Sequence, residues 1–391
     1  MRIRRILPPA AAPLRAADIL GGFRGLWAGE KRLRRLRTEA GRYFGAKEVF
    51  PVSSGKSALV LILRALKRLA PGRHKVVIPA YTCFSVPSAI RKAGLTVAVC
   101  DLAQGTLDFD YSRLQGMVDA ETLCVVATHL FGFPADVDRA REVCRSGNAY
   151  LVEDAAQAMG GTLEGKMLGA LGDAGFYSLG RGKNLTCGDG GIVVTSSEAI
   201  GSALAAEYAG IGIPSFAGQV MTLLKVILTD LLQHPAAYWF PSGLKFLRLG
   251  ETVFHPDFPV KRMGGVEAGM LTEFVSRLEE MNRTRSDNVR YYLGLTVQGD
   301  PGAPPFPCPR FPFLAIDEEA RDRLYECSRR EGFGVGRMYP HPVHEIAELR
   351  TCCVGGKSFP VADRIARTLI TLPTHRFVNG ADRGRIRRLL S

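Results

Sequence analysis

The chain has no CxxC pair, no His/Cys/Asp/Glu group at metal-ligand spacing and no interleaving of basic and aromatic residues of the RNA-reading kind. These absences argue against a zinc module, a structural metal site and a nucleic-acid partner. Its nine cysteines are odd in number and scattered, apart from the adjacent Cys352 and Cys353. That usage predicts reduced thiols and a cytoplasmic protein. Residues 1–9 carry arginines but no apolar stretch of signal-peptide length. No apolar run reaches the roughly 20 residues of a spanning helix. The strongest, 220–232, is interrupted by Lys225 and Asp230 and followed by Pro235. Internal repeats and low-complexity tails are missing too. Acidic residues are the scarcer charge, 38 against 51 Lys and Arg, for a formal net charge of +13. Such an excess suits an anionic membrane face, anionic small substrates or simply a solvated basic surface.

What is present is enough for a large core. The chain has 391 residues, 46% of them hydrophobic, which supports two domains. Apolar strand-like runs at 75–80, 96–101, 123–129 and 150–154 alternate with helix-like stretches at 58–69, 86–93 and from about Asp136, itself a helix N-cap after Pro134. This rhythm predicts an α/β fold with a mainly parallel sheet and helices on both faces. A further strand is expected over 190–195. Apolar residues Leu271, Phe274, Val275 and Leu278 share one face and predict a single helix over 266–285. A strand over 310–316 opens a smaller C-terminal α+β domain, with helices over 317–331 and 360–372. The expected division is a basic N-terminal segment (1–45), a large domain (46–209), an apolar insertion or interdomain region (210–259) and a small C-terminal domain (260–391). The apolar 220–234 stretch reads as a buried helix or subunit contact, with a membrane-surface contact as the alternative.

Three motifs carry chemistry. Ser54-Gly55-Lys56-Ser57 opens a helix, where outward N–H groups and the helix dipole favour an anion. A nucleotide-binding P-loop would need glycine at position 50, where Phe50 stands, so a cofactor phosphate fits better than ATP. A helix cap by Ser53 or Ser54 is the plainer reading of the same serines. Second, Asp154 ends an apolar strand and is followed by Gln157. In an open α/β sheet, ligands bind at the carboxyl ends of strands. Third, Lys183 follows Ser178 by five residues in a polar, glycine-rich stretch, with Gly188-Asp189-Gly190-Gly191 beyond it. A lysine that sheds its proton can form a Schiff base with an aldehyde cofactor, and a strand-end Asp can hold a ring nitrogen positive. Together these point to pyridoxal 5'-phosphate (PLP).

The ordered set resembles the DegT/DnrJ/EryC1/StrS family of PLP-dependent aminotransferases. The resemblance runs from about 49 to 390. It includes Ser53-Ser54-Gly55-Lys56-Ser57, Ile78-Pro79-Ala80-Tyr81-Thr82, His129-Leu130-Phe131-Gly132-Phe133-Pro134, Glu153-Asp154-Ala155-Ala156-Gln157, the Ser178 to Lys183 stretch and Tyr339-Pro340-His341-Pro342-Val343-His344. It implies the aspartate aminotransferase-like PLP transferase fold. It implies Lys183 as the cofactor-binding lysine, Asp154 as the partner of the ring nitrogen, Gln157 beside the cofactor's 3-oxygen, and phosphate contacts from Ser178 and the turn at Gly55, Lys56 and Ser57. It implies homodimers that move an amino group, usually from glutamate, to a nucleotide-linked keto sugar.

The chain departs from the family pattern in four places. Lys56 stands where the family has Thr. Cys83 stands at the ring-stacking aromatic, leaving Tyr81 or Phe84 to cover the cofactor. Val260 replaces an Asn before Arg262-Met263. The 210–259 stretch is longer and more apolar than the family's. His129 reads as a core or wall residue, and His341 and His344 as lining a substrate pocket. Two other functions on the same fold stay open: a PLP-dependent sugar dehydratase, against which Lys183 argues, and a non-catalytic PLP-binding regulator.

Overall fold

The structure, a computed structural model, describes residues 5–244, 252–296, 306–350, 354–356 and 358–390; Cys352 and Cys353 fall outside them. In chain order the elements are α1 (Ala16–Phe44), β1 (Glu48–Val52), α2 (Gly55–Leu69), β2 (Lys75–Pro79), α3 (Ser85–Lys92), β3 (Thr96–Cys100), α4 (Tyr111–Met117), β4 (Thr122–Thr128), α5 (Val137–Ser146) and β5 (Tyr150–Asp154). A short hairpin, β6 (Thr162–Leu163) and β7 (Lys166–Met167), precedes β8 (Ala174–Ser178), β9 (Gly191–Thr195) and α6 (Glu198–Gly210). Then come α7 (Phe216–Gln233), α8 (Trp239–Gly243), α9 (Gly265–Met270) and α10 (Phe274–Thr296). The chain ends with β10 (Arg310–Leu314), α11 (Glu318–Glu331), β11 (Val354–Gly355), α12 (Pro360–Thr368), β12 (Leu369–Pro373) and α13 (Gly380–Leu390).

Eight strands form one sheet in the order β1-β9-β8-β5-β4-β2-β3-β11. From β8 to β11 every pairing is parallel, and only β9 and β1 run antiparallel to their neighbours. The strands are apolar throughout because both faces are covered. Val76, Ile78, Val97, Val99 and Val126 pack with α2 and α3 in one layer. Their alternates Val77, Ala98, Val125 and Ala127 pack with α4 and α5 in the other. Asp136 caps α5, accepting from the Arg139 N–H at 3.1 Å, as its place after Pro134 predicts.

The helix expected over 266–285 is two. The Thr272 hydroxyl donates to the Gly269 carbonyl at 2.7 Å and helps end α9. The apolar face still runs through the break, with Leu271, Phe274 and Leu278 all buried. The break frees α9 to cross α1 at backbone contact: a Cβ on Gly25 would lie 2.0 Å from the Gly265 oxygen, and one on Gly269 would lie 2.1 Å from the Gly21 oxygen. The helix expected over 360–372 stops at Thr368, and the buried run after it pairs antiparallel with β10. The smaller C-terminal unit is not sealed off, since β11 pairs with β3 in the large sheet.

The buried-helix reading of 220–234 fails. Among the described residues, α7 is the one helix long and apolar enough to cross a bilayer, despite its two charges. It lies along α1, where Leu223 meets Gly22, its Val226 packs on Gly188, and Asp230 accepts from the Leu14 N–H at 2.8 Å. Phe216, Met221, Leu224, Leu228 and Leu231 are exposed.

Gly25→Ala should cost stability heavily, because a methyl cannot enter the α1–α9 crossing without parting the backbones. The expected loss is about 2–4 kcal/mol in urea unfolding. A loss within 0.5 kcal/mol would show that the crossing is loose.

Candidate active site

The carboxyl ends of β2, β4, β5 and β8 deliver the motif residues to one edge of the sheet. Asp154 is the last residue of β5 and is buried. One of its oxygens accepts from the Ala156 N–H at 3.0 Å. The other has no hydrogen-bond partner among the described residues. Burial raises the Asp154 carboxyl above its usual range, opposed by that N–H and by the nearby Lys183 ammonium. A cationic group placed against it would reverse the shift.

Lys183 is half-buried in the loop after β8. Its backbone is clamped from below. Arg285 of α10 donates to the carbonyls of Lys183 at 2.9 Å and of Asn184 at 2.5 Å. Asn184 in turn donates to the Pro307 carbonyl at 2.6 Å. Burial brings the Arg285 guanidinium down to about 10.

The anion cradle is built by an absence. A Cβ on Gly55 would lie 2.9 Å from the Ser178 Cβ and 3.1 Å from its Oγ, so only glycine lets β8's last residue reach the start of α2. Ser54 caps α2 through the Ser57 N–H at 3.1 Å. The N–H groups of Gly55 and Lys56, first in the helix, meet no protein acceptor among the described residues. They lie beside the Ser178 hydroxyl, a donor set that fits a phosphate. Ser57 is buried, and its hydroxyl bonds Ser53 and Ser54 at 3.1 and 2.9 Å. The plain cap is thus present, and the two N–H groups beside it stay open among the described residues. The Lys56 ammonium sits 4.3 Å from the centre of the Phe258 ring.

Gln157 donates to the Tyr339 hydroxyl at 3.0 Å. Tyr339 opens the Tyr339-Pro340-His341 signature, and nothing in its local sequence marks it as a partner of Gln157. Its ring lies 5.6 Å from Tyr81, 6.2 Å from Phe84 and 6.3 Å from Phe131. Tyr81 is fully buried, donating to the Met338 carbonyl and accepting from the Tyr339 N–H. Phe84 also packs on His341, centroids 4.8 Å apart. Cys83 is a half-buried free thiol.

Two histidines face elsewhere. His129 is fully buried; its Nδ1 accepts from the Ala135 N–H at 3.1 Å, and its Nε2 donates to Glu153 at 2.8 Å. Glu153 also accepts N–H groups of Gly169, Leu171 and Gly172, so the pair organises the turn before β8. His344 stacks on Phe359 at 4.3 Å and pairs with Asp363 at 3.3 Å, at the start of α12. Arg310 of β10 had no sequence signal. Its Nη1 donates to the Met338 sulfur at 2.7 Å, and a Cβ on Gly182, next to Lys183, would lie 3.7 Å from its Nη2.

A profile of the DegT/DnrJ/EryC1/StrS aminotransferase family matches residues 23–220. The chain belongs to this family. It is 32% identical over 156 residues to the GDP-perosamine synthase of Caulobacter vibrioides, covering 40% of this chain and 42% of that one. It is 27% identical over 346 residues to the dTDP-3-amino-3,4,6-trideoxy-alpha-D-glucose transaminase of Streptomyces venezuelae, covering 87% and 81%. A Helicobacter pylori aminotransferase involved in the biosynthesis of pseudoaminic acid superposes with a TM-score of 0.78 over 99% of this chain and 98% of its own, at 14% identity. An Escherichia coli GDP-4-keto-6-deoxy-D-mannose-3-dehydratase with bound hydrated PLP superposes at 0.75, over 99% and 100%, at 17% identity. These two likenesses establish the PLP transferase fold.

Arg262, two residues after Val260, donates to the carbonyls of Tyr208 and Ala209 at 3.0 and 2.9 Å.

Beside the turn at 188–191, Glu267 is buried with one carboxyl oxygen unpartnered. Burial, with the Asp189 charge adding to it, pushes its carboxyl up to about 7. A folded-state value raised from 4.5 means stability is fully present at low pH and lost as pH rises through about 7. Glu267→Gln should match the parent near pH 4 and exceed it at pH 8, by on the order of 3 kcal/mol. Urea unfolding across pH 4–8 reads this, and a difference that does not change with pH would refute it.

Proposed function

We propose that the chain is a PLP-dependent aminotransferase that moves an amino group, from glutamate, to a nucleotide-linked keto sugar in glycan or natural-product biosynthesis. One observation carries this reading. The Lys183 ammonium lies near the buried Asp154 carboxyl at the end of β5, and the open N–H groups at Gly55 lie against Ser178 at the end of the neighbouring β8. The relatives support the substrate class: their names specify amino sugars built on GDP and dTDP carriers.

The cofactor is pyridoxal 5'-phosphate, which when bound supplies an electron sink for the substrate carbon beside the nitrogen. Lys183 Nζ would hold its aldehyde carbon. The Gly55 and Lys56 N–H groups and the Ser54 and Ser178 hydroxyls would hold its phosphate. Asp154 would keep a proton on its ring nitrogen, since a buried carboxylate favours an opposite charge. Gln157, fixed by Tyr339, faces the same space. Lys183 Nζ, once free, would take and return a proton at the substrate carbon, help worth about 10²–10⁴-fold.

The exposed apolar side chains of α7, with Leu20, Phe23 and Trp27 of α1, make a face suited to a second copy of this chain. A homodimer through this face is our reading, with membrane-surface contact through 220–234 as the alternative. The seven cysteines among the described residues are all free, which supports a cytoplasmic setting.

Borohydride should fix PLP on the peptide holding Lys183; label on another lysine would refute the site. Asp154→Asn should keep PLP bound yet slow the half-reaction with glutamate by about 10²-fold or more. A variant as fast as the parent removes Asp154 from its role. Leu224→Arg with Leu228→Arg should turn a dimer into a monomer in light scattering. Dimers that persist in the variant, or vesicle flotation lost in their place, would move the face to other duties.

A further inference from the structure

We propose that Arg310 is an anion anchor, holding a carboxylate or phosphate of a substrate opposite Lys183. The inference rests on the transaminase reading of the cleft and adds a recognition residue to it.

Arg310 opens β10, and its guanidinium crosses to the Lys183 loop. A methyl on Gly182 would touch Nη2 at 3.7 Å, and one on Gly336 would touch Nη1 at 3.6 Å. Its one protein hydrogen bond among the described residues goes to the Met338 sulfur, a weak acceptor. No carboxylate pairs with it among those residues. Burial holds the guanidinium below its usual range, and the tyrosines beside it, Tyr339 and Tyr238, are pushed up by burial and stay neutral.

Other interior arginines are accounted for. Arg277 pairs with Asp18 at 3.1 Å, Arg321 with Glu318 at 2.8 Å, and Arg285 serves backbone carbonyls. A half-buried guanidinium without a counter-charge has lost hydration that nothing in the protein replaces. The planar fork of a guanidinium is also the group best matched to two oxygens of a carboxylate or phosphate. The cleft therefore presents a preformed receptor whose missing charge an anionic substrate supplies. Two sources share that chemistry: the carboxylates of the amino donor, and the phosphates of a nucleotide carrying the acceptor.

The test uses PLP-loaded parent and Arg310→Gln, with glutarate and UDP as unreactive probes in calorimetric titration. The variant should keep the parent's cofactor absorbance and bind at least one probe about 10–100-fold more weakly. Loss confined to glutarate assigns the anchor to the donor, and loss confined to UDP assigns it to the acceptor. Loss of both places it where the two substrates bind in turn. Unchanged affinity for both probes overturns the proposal. Arg310→Lys, which keeps the charge and loses the fork, serves if the glutamine variant does not fold. It should weaken the affected probe several-fold, and parent-like binding of both overturns the anchor. A parent that takes no PLP on Lys183 would instead refute the transaminase reading, so the two failures are told apart.

Discussion

A carboxyl group buried at the end of a parallel strand, facing a lysine on the next loop, is the interaction on which the site turns. Asp154 is shielded from water, so its charged form depends on what cations the cleft supplies. Lys183 supplies one, and its backbone is held by a buried arginine that donates to two successive carbonyls. The Asp154 charge is not stable there without a cation or a ligand beside it. The cleft is thus electrostatically incomplete by construction, and incompleteness of that kind is common at functional sites.

Missing side-chain atoms shape the molecule as much as the side chains do. At Gly55 the lack of a Cβ admits Ser178 to the first turn of α2. In the α1–α9 crossing, glycines bring two helix backbones into contact and tie the N-terminal helix to the segment after the apolar insertion. The same device serves chemistry in one place and assembly of the fold in the other.

The strands were legible because a parallel sheet covered on both faces needs continuous apolar runs, and 75–79, 122–128 and 150–154 are such runs. Asp154 stood out as a candidate because it sits where one of those runs ends, and Lys183 because it stands in a polar, glycine-rich stretch after Ser178. Periodicity was a poorer guide in the C-terminal half. The face through Leu271, Phe274 and Leu278 is real, yet it spans two helices, because burial repeats at helical spacing whether or not the hydrogen-bond ladder continues. His129, which reads as a core or wall residue, is bonded to Glu153, and the Ser57 hydroxyl is bonded to Ser54 at the α2 cap. The 220–234 run reads as a buried helix or subunit contact, and within the chain only Leu223 and Val226 of α7 are buried.

By itself the sequence determined the α/β class, the strand ends that face the cleft and the lysine–aspartate pair, because these follow from local pattern and spacing. Only the tertiary structure decided that Tyr339 pins Gln157, that Arg285 clamps the lysine loop and that Arg310 stands unpaired beside Gly182. Those residues lie 100 or more positions from their partners, and no local pattern records which distant side chain will find a counter-charge.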